Sequence, residues 1–191
     1  MKAELLILGV LHRGNFHPYE IKRRLMKAMV ECYTDVDVGT LYYAIRQLAG
    51  RKLIETVSRE RVARGGVRTV YSITPGGRQR FQELLHEQFA APGPVADTLY
   101  SAMLFLHLTD PRKVAPLLQK RIEGQTEGLR EIAALRKKLA PVLSTGGLHL
   151  LRHLELQRRL DRRWLRAVHA DVAGGRVRDV PDVRQLAARR P

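Results

Sequence analysis

The chain has 191 residues, of which 45% are hydrophobic, and its formal net charge is +15. This length fits one or two small domains with a packed core, and the charge favours an anionic partner, with nucleic acid as the first candidate. The single cysteine, Cys32, excludes an internal disulfide and suits a reducing cytoplasm.

The first apolar run, LLILGVL from Leu5, predicts a core helix from Ala3 to Arg13. Glu4 precedes this run and no small-residue cleavage site follows it, so the run is not typical of a signal peptide. No stretch is long enough to span a membrane, and we expect a cytoplasmic protein. The helix is apolar nearly all round and must be covered on more than one side, by more of this chain or by a second subunit. Leu5 and Leu8 are therefore candidate dimer contacts.

A second helix is predicted from Pro18, a residue that suits the first helical position, to about Tyr33. Its apolar residues, among them Tyr19, Ile21, Leu25 and Met26, are expected to face inward, and Lys22 outward. A turn follows, with Asp37 as the candidate N-cap of a third helix.

The third helix has two distinct faces at helical spacing. One face is apolar and consists of Val38, Leu41, Ile45 and Leu48. Lys52 extends this face. The other face is polar and aromatic and consists of Thr40, Tyr43, Arg46 and Gln47. Tyr42 lies at its border. Hydroxyl, amide and guanidinium groups can contact base edges or phosphates. An ordinary solvated helix face is the alternative interpretation, and the helix alone does not decide between the two.

Two strand-like runs follow, LIETVSRE and VRTVYSIT, joined by the segment RVARGG. Gly65 and Gly66 permit a tight turn, and Arg64 and Arg68 place positive charge near the tip, where a solvated basic loop is the alternative. Thr74 and Pro75 then begin a fourth helix. A helix, a β-ribbon and a further helix form the second half of a winged helix-turn-helix, a fold that lays a helix in the DNA major groove.

Several short matches in this half follow one family's order and spacing. They are Ile7-Leu8-Gly9, Tyr19-Glu20-Ile21, Gly39-Thr40-Leu41-Tyr42, Leu48, Leu53-Ile54, Arg68, Tyr71 and Thr74-Pro75-Gly76-Gly77-Arg78. In these residues, about the first half of the chain, the sequence resembles the PadR family of transcriptional regulators. It departs from the family pattern at Pro18, at Tyr43 and in the wing, which reads Thr69-Val70-Tyr71. The resemblance implies a winged helix followed, in longer members, by a helical domain that builds the dimer and often has a sensing role.

Ala91-Pro92-Gly93-Pro94 interrupts the helical pattern and predicts a linker. We assign 1–90 to a winged helix-turn-helix, 91–94 to the linker, 95–173 to a helical dimerisation or effector domain, and 174–191 to a basic tail. Helices are predicted over 95–108, over 111–139 with Asp110 as the cap, and over 148–172. The last contains four candidate dimer contacts: Leu151, Leu154, Leu160 and Trp164. The predicted fold class is mainly α, with a two-stranded β-wing.

His149 and His153 are four residues apart and share a helix face, but no acidic residue or cysteine at suitable spacing completes a metal site. Packed or exposed histidines are the more frequent explanation of such a pair. The chain has no nucleophile motif and no phosphate-binding or dinucleotide-binding loop. We therefore expect neither a cofactor, nor a bound metal, nor an enzyme.

Together these patterns predict a homodimeric transcriptional regulator, a repressor, that binds an inverted repeat in double-stranded DNA. The predicted DNA contacts are Tyr19, Lys22, Thr40, Tyr42, Tyr43, Arg46, Gln47, Arg64 and Arg68. A lipophilic or aromatic effector could occupy apolar space near Leu99, Met103 and Leu106, although a filled core would give the same pattern. The alternatives are a winged helix that docks a protein partner, and a metal-gated regulator.

Overall fold

A computed structural model describes residues 2–28, 38–61 and 67–178. These residues form seven α-helices and one antiparallel pair of strands. In chain order they are α1 Lys2–Leu11, α2 Pro18–Lys27, α3 Val38–Gly50, β1 Ile54–Arg61, β2 Val67–Ile73, α4 Pro75–Ala90, α5 Val95–Met103, α6 Pro111–Leu139 and α7 Thr145–Ala173, with a 3₁₀ turn at Leu106–Leu108. The mainly helical fold with a two-stranded wing is confirmed. The chain divides into two compact units, Met1–Phe105 and Leu106–Pro191.

Helix α1 is the centre of the first unit. Its run of leucines and isoleucine is fully buried, because α2, α3, α4, α5 and β2 all pack against it. The prediction that this helix is covered on several sides is confirmed, and elements of the same chain provide the cover. Leu5 and Leu8 have no exposed surface and belong to the core of this unit, so the proposal of dimer contacts at these two residues was wrong.

Helix α5 belongs to the first unit, although the sequence placed it after a domain boundary at 91–94. Its apolar residues Val95, Leu99 and Ala102 are buried, as is Phe105 just beyond the helix. The Phe105 ring meets the Phe81 ring edge-on, with 5.5 Å between ring centroids. The units divide between residues 105 and 106, because α5 is needed to complete the cover over α1. The predicted helix over 95–108 ends at Met103, and a 3₁₀ turn follows.

Helix α3 ends earlier than its apolar pattern suggested. The helix stops at Gly50, and Lys52 adopts a left-handed backbone with φ of 56°. The Leu53 N–H donates to the Leu48 carbonyl oxygen at 3.0 Å, which is the long-range bond of a Schellman-type C-terminus. Lys52 is exposed and does not extend the apolar face, because the reversed backbone turns it away from the helix.

The wing is joined tightly to α4. Residues Ile54 to Arg61 pair with Val67 to Ile73, with an irregularity between Thr56 and Ser58. At the end of β2, the Thr74 hydroxyl oxygen accepts from the Gly77 N–H at 3.0 Å and caps α4, as predicted. The Thr74 N–H donates to the Leu53 carbonyl oxygen at 3.1 Å, and the Thr74 hydroxyl lies 3.0 Å from that oxygen. The strands and the following helix therefore share one hydrogen-bonded junction.

The second unit contains the helical pair α6 and α7, which pack along each other. Asp110 caps α6 and Ser144 caps α7 through side-chain acceptors. Polar groups enter the contact: Glu155 is buried and accepts from Arg159, while Arg136 of α6 lies 3.2 Å from its other oxygen. Leu151 is also buried, so it is a core residue of this chain rather than a free contact for a second subunit.

Candidate nucleic-acid interface

Helix α3 separates its two faces as the sequence predicted. Leu41, Ile45 and Leu48 are buried, and the spacing of these residues turns the intervening side chains outward. The exposed residues are Thr40, Tyr42, Tyr43, Arg46 and Gln47. The Tyr43 side chain is 58% exposed, an unusual amount for an aromatic ring on a structural helix. The outer face therefore offers two phenols, a guanidinium and an amide to a partner.

Helix α2 packs on α3, and its start carries further exposed groups. His17 caps α2: its Nδ1 accepts from the Glu20 N–H at 3.2 Å. Tyr19 is 59% exposed and its ring stacks on that of His17, with centroids 6.1 Å apart. Lys22 is half-buried. Tyr19 and Met26 were expected to face inward and are both exposed, since Ile21 and Leu25 alone fill the contact of α2 with the core.

Glu20 organises the arginines of α2. Its carboxylate lies 2.7 Å from the Arg23 guanidinium and accepts from the Arg24 Nε at 3.1 Å. The hydrogen bond from Arg23 lowers the pKa of the Glu20 carboxyl, against the opposing effect of burial. The pair holds Arg23 at the exposed side of the helix and Arg24 at its partly buried side.

Phe16 connects the start of α2 to the wing, a link that the sequence did not reveal. Its backbone exchanges two hydrogen bonds with Tyr71 of β2, at 3.1 and 3.0 Å. The Arg24 guanidinium lies over the Phe16 ring, 4.1 Å from its centroid. A lone aromatic in a short loop carries no local signal of such a pairing, because its partner lies far along the chain. Through this link the exposed residues of α2 are held beside the base of the wing.

On the wing, Arg59 and Arg68 are exposed. The Cα of Arg68 pairs with that of Glu60 across the two strands. Arg64, the other predicted wing contact, lies outside the described residues, as do Asp37 and the end of the predicted second helix. In the first unit, then, exposed cationic and aromatic groups are found at the start of α2, on the outer face of α3 and on the strands of the wing.

Residues 7–83 match the family described as the Transcriptional regulator PadR-like family. This part of the chain is therefore similar to PadR-like transcriptional regulators. The PadR-like region contains the second half of α1, all of α2 and α3, both strands and the first part of α4, as well as every predicted DNA contact. Helices α5, α6 and α7 lie beyond it.

Solved structures of PadR-family regulators also resemble the chain. Bacillus subtilis PadR in complex with operator DNA has 17% sequence identity and a TM-score of 0.42, over 88% of this chain and 98% of that one. The same protein in complex with p-coumaric acid has 16% sequence identity and a TM-score of 0.38, over 91% of this chain and 99% of that one. The Vibrio cholerae virulence activator AphA has 20% sequence identity and a TM-score of 0.36, over 90% of this chain and 98% of that one. No curated protein matches the chain.

The remaining predicted site residues fall in different environments. Leu99 is fully buried in the first unit and is a core residue, whereas Met103 and Leu106 are half-buried and belong to different units. His149 and His153 are exposed, one turn apart on α7. In the described parts of the chain, no group of three or more His, Cys, Asp or Glu residues could hold a metal ion. None of the helices seen there is long and apolar enough to cross a membrane.

Leu154, Leu160 and Trp164, the other predicted dimer contacts, lie on α7. Leu160 is 67% exposed, Leu154 is exposed and Trp164 is half-buried. Leu150 and Leu156 of the same helix are also exposed, which the sequence did not single out. These exposed leucines are candidate contacts for a partner, because exposed apolar surface often marks an interaction site.

Proposed function

We propose that this PadR-like chain is a sequence-specific transcriptional repressor, not an enzyme, and that it binds an inverted-repeat operator as a homodimer. The observation that carries the proposal is the outer face of α3, where Tyr42, Tyr43, Arg46 and Gln47 are exposed on a helix whose opposite face is buried. A helix of this kind fits the major groove, which admits one helix and displays a distinct pattern of donors and acceptors for each base pair.

The roles of individual residues follow from their chemistry. The Arg46 guanidinium can donate two hydrogen bonds to guanine, and the Gln47 amide can pair with adenine. Tyr19 and Lys22 at the start of α2 would contact phosphates and fix the register of the protein on the duplex. Arg64 and Arg68 would place the wing on the flanking backbone or minor groove. Thr40, Tyr42 and Tyr43 complete the proposed groove contacts.

Dimerisation is proposed through α7. Its exposed leucines, among them Leu154 and Leu160, need cover, and a second copy would supply an equal apolar surface by two-fold symmetry. Two copies of α3 set about one helical turn of DNA apart would then contact the two halves of an inverted repeat. Sedimentation of the chain at micromolar concentration tests this. If the chain sediments as a monomer, the proposal that it binds an inverted repeat as a dimer is wrong.

The proposal includes release from DNA by a lipophilic or aromatic small molecule. Met103 and Leu106 remain candidates for its contacts, and Leu99 does not, because it is fully buried in the core of the first unit. Titrating aromatic acids into the operator complex, and following the loss of bound DNA, tests this element separately from DNA binding itself.

The central experiment measures binding to DNA upstream of the protein's own gene across a salt series, with random DNA as competitor. We expect competitor-resistant binding. Arg46→Ala should weaken operator binding by about ten- to a hundredfold, equivalent to about 1–3 kcal/mol, and weaken binding to random DNA much less. Arg112→Ala, at an exposed arginine of α6, is the control and should change neither. Equal competition by random DNA would favour a winged helix that docks a protein partner.

A further inference from the structure

Helix α7 has a row of arginines that the proposed operator contacts do not use. The helix contains six arginines and no lysine. At about 100° per residue, Arg152, Arg159, Arg163 and Arg166 fall within about 60° of one another around the axis. We call these four residues the arginine face of α7. All four are exposed, and together they extend about 21 Å along the helix.

The arginine face has little internal neutralisation. Arg159 is bound to Glu155, at 2.6 Å, and Arg152 also interacts electrostatically with that carboxylate, but Arg163 and Arg166 make no ion pair with another described residue. The other acids of α7, Asp161 and Asp171, lie on different sides of the helix. Arg163 stands one turn from both Arg159 and Arg166, a spacing at which like charges on a helix repel. An anionic partner would relieve that repulsion.

Three surfaces of α7 lie on different sides of the helix. One side packs on α6 and buries Leu151 and Leu165. Leu150 and Leu160 lie on a second side, and the arginine face occupies a third, with exposed Leu156 about 20° from Arg163 at its border. A dimer formed through Leu150 and Leu160 would therefore leave Arg152, Arg159 and Arg166 in solvent. Between Leu106 and Arg178 the chain has 16 Lys and Arg against 7 Asp and Glu, so the surroundings do not offset the charge of this face.

We propose that the arginine face of α7 is a second DNA-binding surface, which binds the phosphate backbone without regard to sequence and separately from the winged helix. DNA is the partner that fits best among polyanions. The guanidinium fork matches phosphate in two-point geometry, and a straight row of about 21 Å spans several successive phosphates of one strand. The inference rests on the proposed DNA-binding function only for the presence of DNA, since none of the four arginines is among the proposed operator contacts.

The test uses the full chain with Tyr43→Ala and Arg46→Ala, which remove the proposed groove contacts. On this background, Arg152→Gln, Arg163→Gln and Arg166→Gln are combined and compared with Arg112→Gln, Lys113→Gln and Lys120→Gln on α6. The control set is equally exposed and removes the same charge. Binding to a fluorescent duplex of random sequence is measured by anisotropy from 50 to about 300 mM salt, the range over which phosphate contacts change affinity most. Circular dichroism and sedimentation verify that fold and assembly are retained.

We expect the α7 set to weaken binding at about 100 mM salt by about tenfold or more, and to reduce the slope of log affinity against log salt by about 2–3, since each lost phosphate contact removes about 0.9. The control set should change the slope by less than about 1. Equal effects of the two sets would overturn the proposal, because net charge alone would then explain binding. Retained affinity in the α7 set, together with loss of binding to anionic phospholipid vesicles, would also overturn it in favour of a membrane surface.

A failure of the proposed DNA contact by the arginine face can be distinguished from a failure of the proposed operator binding. In a chain with an intact α3, the α7 set should lower affinity for operator and random DNA by the same factor and leave the preference for operator unchanged. If the chain shows no operator preference at all, the proposed function fails, while the slope on random duplex still decides whether the arginine face binds DNA.

Discussion

Gly77→Ala should disrupt the junction between the wing and α4. A Cβ at position 77 would collide with the Leu53 carbonyl oxygen and would lie 2.9 Å from Ile73 Cγ1 and 3.0 Å from the Leu53 carbonyl carbon. The carbonyl group cannot withdraw freely, because its oxygen accepts from the Thr74 N–H. Overpacking of a fixed core usually costs about 1–3 kcal/mol. Since this collision is with backbone, we expect the upper part of that range.

Gly76→Ala is the matched control, one residue away in the same helical turn. A Cβ there would find its nearest atoms at 3.8 and 3.9 Å, in ordinary contact. With the space available, Gly to Ala should stabilise the protein by about 0.4–1 kcal/mol, mainly by reducing the entropy of the unfolded chain. The two substitutions remove the same glycine freedom, so their difference, about 3–4 kcal/mol, isolates the collision with Leu53.

The assay is urea unfolding with two optical reporters. All six tyrosines precede residue 106, and the only tryptophan is Trp164 of α7, so tyrosine and tryptophan signals follow the first and second units. We expect Gly77→Ala to shift the tyrosine transition to lower urea and Gly76→Ala to shift it slightly higher. Equal stabilities of the two variants, or a loss confined to the tryptophan signal, would refute the reasoning from the Leu53 carbonyl.

Three further predictions concern other contacts. Phe16→Ala should weaken operator binding by about fivefold, the equivalent of about 1 kcal/mol for the lost stacking of Arg24. Phe16→Tyr keeps the ring and should bind operator DNA normally. Equal operator binding by the two variants would show that the contact between Phe16 and Arg24 has no role in DNA binding. Lys52→Gly should raise the free energy of unfolding by about 1 kcal/mol, because glycine adopts the left-handed backbone at this position without steric strain. A similar increase in Lys52→Ala would mean that the lysine side chain, and not the backbone, causes the effect. The hydrogen bond from Arg159 lowers the pKa of Glu155 from 4.5, so the carboxylate stabilises the fold above that pH, and this contribution is lost as pH falls through the folded-state pKa. Glu155→Gln should therefore reduce stability at pH 7 and flatten the acid side of the unfolding curve; an unchanged pH profile would exclude this role.

The elements of this chain could be predicted from the sequence because their signals are local. Thr74 with Pro75 and Asp110 with Pro111 mark helix starts through groups that act within one turn. The spacing of Leu41, Ile45 and Leu48 sets the outer face of α3, since helix geometry alone decides which side chains share a side. The family resemblance and the wing followed from the same short patterns.

What covers each apolar surface was decided only by tertiary structure. The sequence predicts that α1 is covered on several sides, yet α5 rather than a second subunit supplies part of that cover, and Leu5, Leu8 and Leu99 become core. The Phe16–Tyr71 pairing and the backbone contact at Gly77 join segments far apart in the chain. Periodicity states that a side chain is to be buried but not by which partner, because hydrophobic burial is non-directional. Only the packed arrangement of the elements selects that partner.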